Sequence, residues 1–487
     1  MKQLYALNHI AALAVIAGAF SLHAPLSAAD FTEGAIVLNE NQYGKSDSSL
    51  NHLDFSTGTW SYGIYSAANG GKAIGGTACS GGYDGTTLYV VCKDKGYPGS
   101  DLDGGVVTAM NASDMTMRWQ LKQLGPSGKR AAGRGFLAVS ESKIYVSSSN
   151  GIWVINAADG TVKGMIEGTE NPFGVDDKPI TDPTSTLYVG QCGNMVKAGG
   201  KVFAAHQEKG LLVIDPESDT LLQTISMSSV KTGAGIGSVV LGNDGNLWIS
   251  IADQTDGYGL PLNLLGKVNP STCELTTVEI PEGMYGPSQS WAAWNPDTFC
   301  ASPDGFLYWT GGEDIWYSNM LVYRHDIASG TTSLLLDFTD NENGWKVCTP
   351  SMRVDPATGL LYMTLFKDYG STEYTFRSYT SAGAEVKDYP MKRSYWFCGT
   401  ILFPAAEMAG IENVASEARA EALLARYSGG VLTLSGFSAG AVTLYDMQGH
   451  HVAAKNVSES VSSFGIALTP GIYIAAGSNG SVKIVVR

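Results

Sequence analysis

Histidines and scattered acids are the first candidates for chemistry in this 487-residue chain. Of the seven histidines, His9 and His23 belong to the N-terminal segment and His450 and His451 to the tail. His52, His206 and His325 remain, each in a different stretch, which is too dispersed for the multi-histidine ligand set of a zinc site. His206 ends "KVFAAHQEKG" and is expected to face a loop in a solvated or capping role. "GFSAG", Gly436 to Gly440, fits G-x-S-x-G, but a nucleophile elbow needs a helix after its serine. The strand-like "AVTLYDM" follows instead, so the motif reads as a turn. Asp101 and Asp103 in "SDLDGG" alternate as in a calcium loop yet lack the distal acid. These two, with Asp176, Asp177 and Asp182 of "GVDDKPITDP", read as solvated loops. The paired carboxylates of a glycosidase would have to come from separate segments, and sequence alone does not pair them. No metal or cofactor is expected.

A second class of candidate is richer. Several polar loops carry aromatic, amide and lysine side chains: Asn41, Gln42 and Tyr43 in "NENQYGKSD", and Lys95 and Tyr97 in "KDKGYPG". Others hold Tyr258, Tyr285, Trp316, Trp345 and Tyr369. Aromatic rings give flat contact area with a polar tip, suited to a planar or sugar-like ligand. The same rings could instead cap strands and pack on neighbouring loops.

The elements that would position these loops form a repeat. A turn followed by a β-rich run recurs as "YDGTTLYVVC", "SESKIYVSSS", "AGGKVFAAHQ", "NDGNLWISIA", "PDGFLYWTGG" and "PATGLLYMTL". Tyr89, Tyr145, Phe203, Trp248, Tyr308 and Tyr362 occupy one position in this pattern. After each comes a second strand, as in "LLVIDPESDT", and Asp or Asn opens its turn in most copies because that side chain bonds its own backbone two residues on. "LNHLDFSTGTW" is the same strand and turn with Asp54 in place. Seven units of about 53 residues fit between residues 35 and 403, close to the ~40–50 residue blades of β-propellers. "YWFCGTILF", Tyr395 to Phe403, reads as the strand that returns to close the ring against the first blade. The expected fold is therefore all-β: a seven-bladed β-propeller over 34–404, a linker over 405–427, and a small β-sandwich-like C-terminal domain over 428–487.

Composition narrows the function. A net charge of -15 would repel a phosphate backbone, so nucleic acid is not an expected partner. Residues 1–29 read as a signal peptide, with Lys2, an apolar run from Ile10 to Phe20 and small residues in "PLSAAD". No cysteine precedes Cys79, so a lipid-modified N-terminal cysteine is not expected there. Cys79 and Cys92 flank the turn "YDGTT" and could face each other across a hairpin as a disulfide. Small buried residues in inner strands are the alternative reading of the cysteines.

Two resemblances rest on particular residues. "GAIVLNENQYGKSDSSLNHLDFSTGTW", "YSAANGGKAIGGTACSGGYDGTTLYVV" and "SYWFCGTILF" resemble the seven-bladed surface propellers of Bacteroidetes, a family that includes a cobalamin-capturing protein. "AVTLYDMQGHHV" and "LTPGIYIAAGSNGSVKIVVR", with Gly471, Tyr473, Lys483 and Arg487, resemble the C-terminal sorting domain of type IX secretion cargo. The resemblances imply an exported protein at the cell surface of the outer membrane or outside the cell, and because no catalytic motif is found in the sequence an enzyme is not expected. They imply a small-molecule ligand such as a corrinoid, or a glycan, on the loop-rich rim. An outer-membrane transporter and the type IX machinery would be partners. A polysaccharide hydrolase or lyase, and a structural or adhesive module binding protein, are the competing expectations.

Overall fold

The computed structural model describes residues 30–42, 45–94, 104–125, 131–174, 189–255, 260–287, 299–312, 318–339, 342–368 and 370–408, and in the tail 424–428, 430–435, 437, 440–446, 450–457, 461–477 and 480–486. Antiparallel sheets dominate. Blade 1 pairs Cys398–Leu402, Ala35–Asn39, Ser49–Asp54 and Thr59–Ser61 in that order, and blade 2 runs Gly76–Asp84, Thr87–Asp94, Val107–Asn111 and Met117–Leu121. Blade 3 begins at Gly133–Ser140, blade 4 at Cys192–Ala198, blade 5 at Ala234–Leu241, blade 6 at Phe299–Ala301 and blade 7 at Lys346–Val354. Seven such sheets are counted among the described residues up to Leu402. Their first strands touch in a closed cycle, each with the next and the seventh with Cys398–Leu402. The chain is a β-propeller. The returning strand closes it as the sequence suggests, with Val37 opposite Ile401 and Leu38 opposite Thr400.

Blade 4 shows why these residues form these strands. "KVFAAH" and "GLLVID" are apolar at both phases because each sits between two blades, and they are buried except at the end residues Lys201 and Asp215. The outermost strand, "TLLQTI", borders solvent and is mostly exposed. The two-residue period of a strand sends alternate side chains to opposite neighbours. Val202 and Ala204 join the core shared with blade 3, and Phe203 and Ala205 join the core shared with blade 5. The recurrent aromatics Tyr89, Tyr145, Phe203, Trp248, Tyr308 and Tyr362 all face the following blade, and the last closes the cycle onto blade 1. Burying each contributes about 2–3 kcal/mol to a joint between sheets.

The turns opposite the loop-rich rim follow their expected chemistry. Asp54, Asn156, Asp215, Asn269 and Asp326 each accept from the backbone N–H two residues on, at 2.7–3.0 Å. In blade 7 Thr380 does the same for Ala382 at 3.3 Å. Asn111 differs, its side chain binding Thr116 and Arg118 instead.

Residues from Leu424 onward form a three-stranded and a four-stranded sheet around their own core of Leu432, Leu434, Phe437, Val442, Leu444, Tyr473 and Ile484. Gly440 opens a strand, Gly440–Asp446, so the G-x-S-x-G stretch has no elbow helix.

The proposed Cys79–Cys92 bridge is corrected. Ala78 pairs with Cys92 and Ser80 with Val91, which leaves Cys79 as the extra residue of a β-bulge. The bulge turns Cys79 into the core between blades 2 and 3, where its thiol donates to the Gly133 carbonyl at 3.3 Å. Cys92 lies in the core between blades 1 and 2. The sheet separates them, and both are free.

Candidate ligand-binding throat

In each blade the first strand starts, and the second strand ends, at the same end of the ring. Polar residues gather there. Glu40, Ser149, Gln207 and Gln254 each follow a second strand, and each donates its backbone N–H to a carbonyl just before a first strand: Phe397, Ala132, Gln191 and Gly233, at 2.8–3.0 Å. This repeated bond holds four polar residues around the mouth of the axis. Lys93, the penultimate residue of the run "VVCKD", adds a cation from blade 2. Bulges deform the first strands at this level, at Cys79 in blade 2, Arg134 in blade 3, 193–194 in blade 4 and 237–238 in blade 5. A bulge re-aims the residue it adds, and in blade 3 that residue is Arg134.

Arg134, Gln191, Gln207 and Gln254 form one hydrogen-bonded chain, and Lys93 and Glu40 form a pair beside it. Arg134 is 1% exposed, its Nε donates to Gln191 Oε1, and its Nη1 donates to the Gly133 carbonyl at 2.9 Å. The Gln207 side-chain oxygen accepts from the Gln191 backbone at 3.5 Å, and its Nε2 donates to Gln254 Oε1 at 3.3 Å. Lys93 Nζ lies 3.9 Å from Glu40 Oε2. Burial raises the Glu40 carboxyl above its ordinary range, and nearby Lys93 and Arg134 pull it partly back. Burial lowers the Lys93 ammonium, while Glu40 supports its charge and Arg134 opposes it. Burial also pushes the Cys79 thiol up to about 11, with Arg134 and Lys93 acting against the rise, so this thiol is not a nucleophile at neutral pH.

Backbone strain marks the same region. Asn41, Thr77 and Phe397 have φ values of 59°, 56° and 37°. A β-branched or bulky residue there is an outlier, and such residues cluster at functional sites. Phe397 supplies the carbonyl that holds Glu40, and Thr77 lies two residues before Cys79.

Below the throat, a cavity of about 190 Å³ follows the axis between the seven first strands. Its far end meets the short helix Pro404–Met408, where Glu407 pairs with Arg353 at 3.2 Å and accepts from the Phe403 backbone at 2.9 Å.

Residues 33–404 match the family described as a domain of unknown function, DUF5074. The chain belongs to this family. The match starts just before the first blade and ends just after the closing strand, so it covers the propeller and stops short of the tail sheets. A search of curated proteins returns no match. Among solved structures, a computationally designed protein, Ika8, is 9% identical with a TM-score of 0.42, covering 84% of this chain and 95% of its own. The periplasmic gluconolactonase PpgL of Pseudomonas aeruginosa is 13% identical with a TM-score of 0.49, covering 76% of this chain and 98% of its own.

The DUF5074 propeller places the sequence-derived candidates unevenly. Asn41 is at the throat end, but its side chain organises its own loop: Nδ2 donates to the Asp47 carbonyl at 2.6 Å and Oδ1 accepts from Ser49 Oγ at 3.2 Å. Gln42 is exposed beside it. Tyr285 packs on the core between blades 5 and 6, and Trp345 on the core between blades 6 and 7, with Lys367 Nζ 4.1 Å from the Trp345 ring centre. These four share the throat end but form no single cluster, and capping of the joints explains Tyr285 and Trp345. Tyr43, Lys95, Tyr97, Tyr258, Trp316 and Tyr369 lie outside the described residues, as do Asp101, Asp103, Asp176, Asp177 and Asp182. His52 and His325 serve the fold, binding the Glu33 carbonyl at 2.7 Å and Thr332 Oγ1 at 2.9 Å. His206 caps a turn, its Nδ1 accepting from the Glu208 and Lys209 backbone at 3.2 and 3.1 Å. No group of three metal-ligating side chains occurs among the described residues.

Reading single loops missed Glu40, Lys93, Arg134, Gln191, Gln207 and Gln254. A usable signal was present: each is a charged or amide residue at the edge of an apolar strand, as in "VVCKD", "AAHQ" and "IADQ".

Proposed function

We propose that the DUF5074 propeller is an exported, non-enzymatic binding protein that captures a nutrient at the mouth of its throat. The observation that carries this reading is the largely buried cluster that Lys93, Arg134, Glu40 and three glutamines form, among the described residues, at the end where the polar loops emerge. Desolvated polar groups held in fixed geometry are costly for a fold and useful for a ligand. A corrinoid is the first ligand to test, because amide groups edge its planar ring and Gln191, Gln207 and Gln254 present complementary donors and acceptors. A glycan is the second. The resemblance of the N-terminal segment to a signal peptide, and of the tail to a type IX sorting domain, supports export to the cell surface or beyond. It also supports the secretion machinery as a partner, and transfer of the nutrient to an outer-membrane transporter follows from such a location. Calorimetric titration of the full chain with cobinamide, cobalamin and neutral and acidic polysaccharides tests the reading. Saturable heat with one of them supports it. Release of reducing ends from a polysaccharide would replace it with the hydrolase or lyase alternative, and silence toward every ligand would favour a structural or adhesive module.

A further inference from the structure

We infer that Phe173 is a stacking platform beside the throat, and that it selects a ligand with a broad apolar face edged by hydrogen-bonding groups. The inference rests on the throat being the ligand site and adds the residue that reads the shape of what enters it.

The run "ENPFG" explains how the ring is held. Asn, Pro and Gly at the first, second and fourth positions are residue types that a β-turn prefers. The Gly174 N–H donates to the Asn171 carbonyl at 3.0 Å and closes that turn. The Asn171 side chain is buried. Its Oδ1 accepts from the Phe173 N–H at 2.9 Å, and its Nδ2 donates to the Ser149 carbonyl at 2.8 Å and to the Val189 carbonyl at 2.7 Å. Ser149 is one of the four polar residues around the mouth of the axis, so one buried amide ties the turn to the throat. Gly190, the residue before Gln191, lies against the turn: a Cβ added there would stand 3.0 Å from Phe173 Cδ2 and 3.0 Å from Pro172 Cδ.

The ring itself serves no core. Phe173 is 56% exposed, more than any other large apolar side chain among the described residues, and it joins neither of the cores that flank blade 3. Tyr285 and Trp345, by contrast, pack on joints between blades. Apolar side chains exposed singly are ordinary on a surface. What sets Phe173 apart is a fixed backbone next to the chain of Arg134, Gln191, Gln207 and Gln254. An aromatic ring on a locked turn loses little freedom when a ligand settles on it. Phe carries no polar tip, so it favours an apolar face and offers sugar hydroxyls nothing, whereas Tyr or Trp would serve both. The neighbouring glutamines supply the ligand's edge with hydrogen-bond partners. A macrocycle with carbonyl or amide groups on its rim has that form.

Calorimetric titration of the full chain with cobinamide and, separately, with cellohexaose tests this in wild type, Phe173→Ala and Phe173→Trp. Saturable binding of cobinamide is expected in wild type. It should weaken about tenfold in Phe173→Ala, the size of a lost stacking contact, and be largely restored in Phe173→Trp. Urea unfolding of Phe173→Ala should match wild type, because the ring is mostly exposed. Equal cobinamide affinity in wild type and Phe173→Ala overturns the inference and leaves the throat as the ligand site. A clear loss of stability in Phe173→Ala also overturns it, by assigning the ring to the fold. Binding of cellohexaose without cobinamide keeps the throat and overturns the selection of an apolar face. Binding of neither overturns the throat reading and the inference together.

Discussion

The Glu40 backbone N–H donates to the Phe397 carbonyl at 2.8 Å, joining residues from the two ends of the propeller sequence at the edge of the throat. Phe397 holds this position with φ at 37°, while its ring is buried and stacks on Tyr395 at 6.4 Å between centres. Two effects of Phe397→Gly therefore compete. Relief of backbone strain gains about 1–3 kcal/mol, and loss of the ring costs at least the 3–5 kcal/mol of a Phe→Ala change in a core. The second wins, so urea unfolding should show net destabilisation of about 1–3 kcal/mol by these magnitudes. A more stable Phe397→Gly protein would mean that the ring does little for closure.

Closure depends on the returning strand. Ile401 is fully buried in the core between blades 7 and 1 and pairs with Val37. Ile401→Ala should cost about 2–5 kcal/mol. Leu222, on the outermost strand of blade 4, is 53% exposed, so Leu222→Ala should change stability by less than about 0.5 kcal/mol. Comparable losses from the two substitutions would contradict a ring held by its closing strand.

The amount of this legible in the sequence follows from range. Tyr89, Tyr145, Phe203, Trp248, Tyr308 and Tyr362 repeat because each fills the joint to the next blade, so a one-dimensional pattern records a local contact. Asp54, Asp215 and Asp326 were equally readable because an Asx turn involves residues two apart. Arg134 and Gln191, or Lys93 and Glu40, meet only when neighbouring blades pack, and each is a single polar residue beside an apolar run, with no repeated pattern to mark it. Cys79 misled for a different reason. One bulge residue reverses the face of a strand, and symmetry about a turn does not reveal it.

Glu407 anchors the chain where it leaves the propeller. Its carboxylate is buried, receives the Phe403 N–H and pairs with Arg353 of blade 7. Glu407→Ala leaves the Phe403 donor unpaired and should cost about 1–3 kcal/mol. Glu407→Gln keeps an acceptor and should recover most of that loss. Thermal unfolding of the two variants checks this, and equal losses would show that the ion pair, not the hydrogen bond, matters.

Acid should loosen the fold through His206. Burial lowers its pKa from 6.5 to about 3, with Lys209 acting in the same direction. The unfolded chain then binds the proton that the folded chain refuses, so stability falls as pH drops below 6.5, down to about 3. Glu40 acts oppositely: its raised carboxyl favours the folded state at low pH, and that contribution declines as pH rises above 4.5. His206→Asn keeps an oxygen to cap the Glu208 and Lys209 turn but does not titrate. Urea unfolding between pH 7 and pH 4 should show a shallower loss in His206→Asn than in wild type, and parallel curves would rule His206 out as a source of acid sensitivity.

Binding at the throat is the central claim, and the amide pair Gln207–Gln254 gives its most direct test. The measurement is calorimetric titration of cobinamide and cobalamin into wild type and into a Gln207→Ala, Gln254→Ala double variant, with both proteins shown to melt cooperatively. Saturable binding in wild type, weakened at least about tenfold in the variant because two buried amides are lost, is the predicted result. No heat in wild type, or equal affinity in the two proteins, would contradict it.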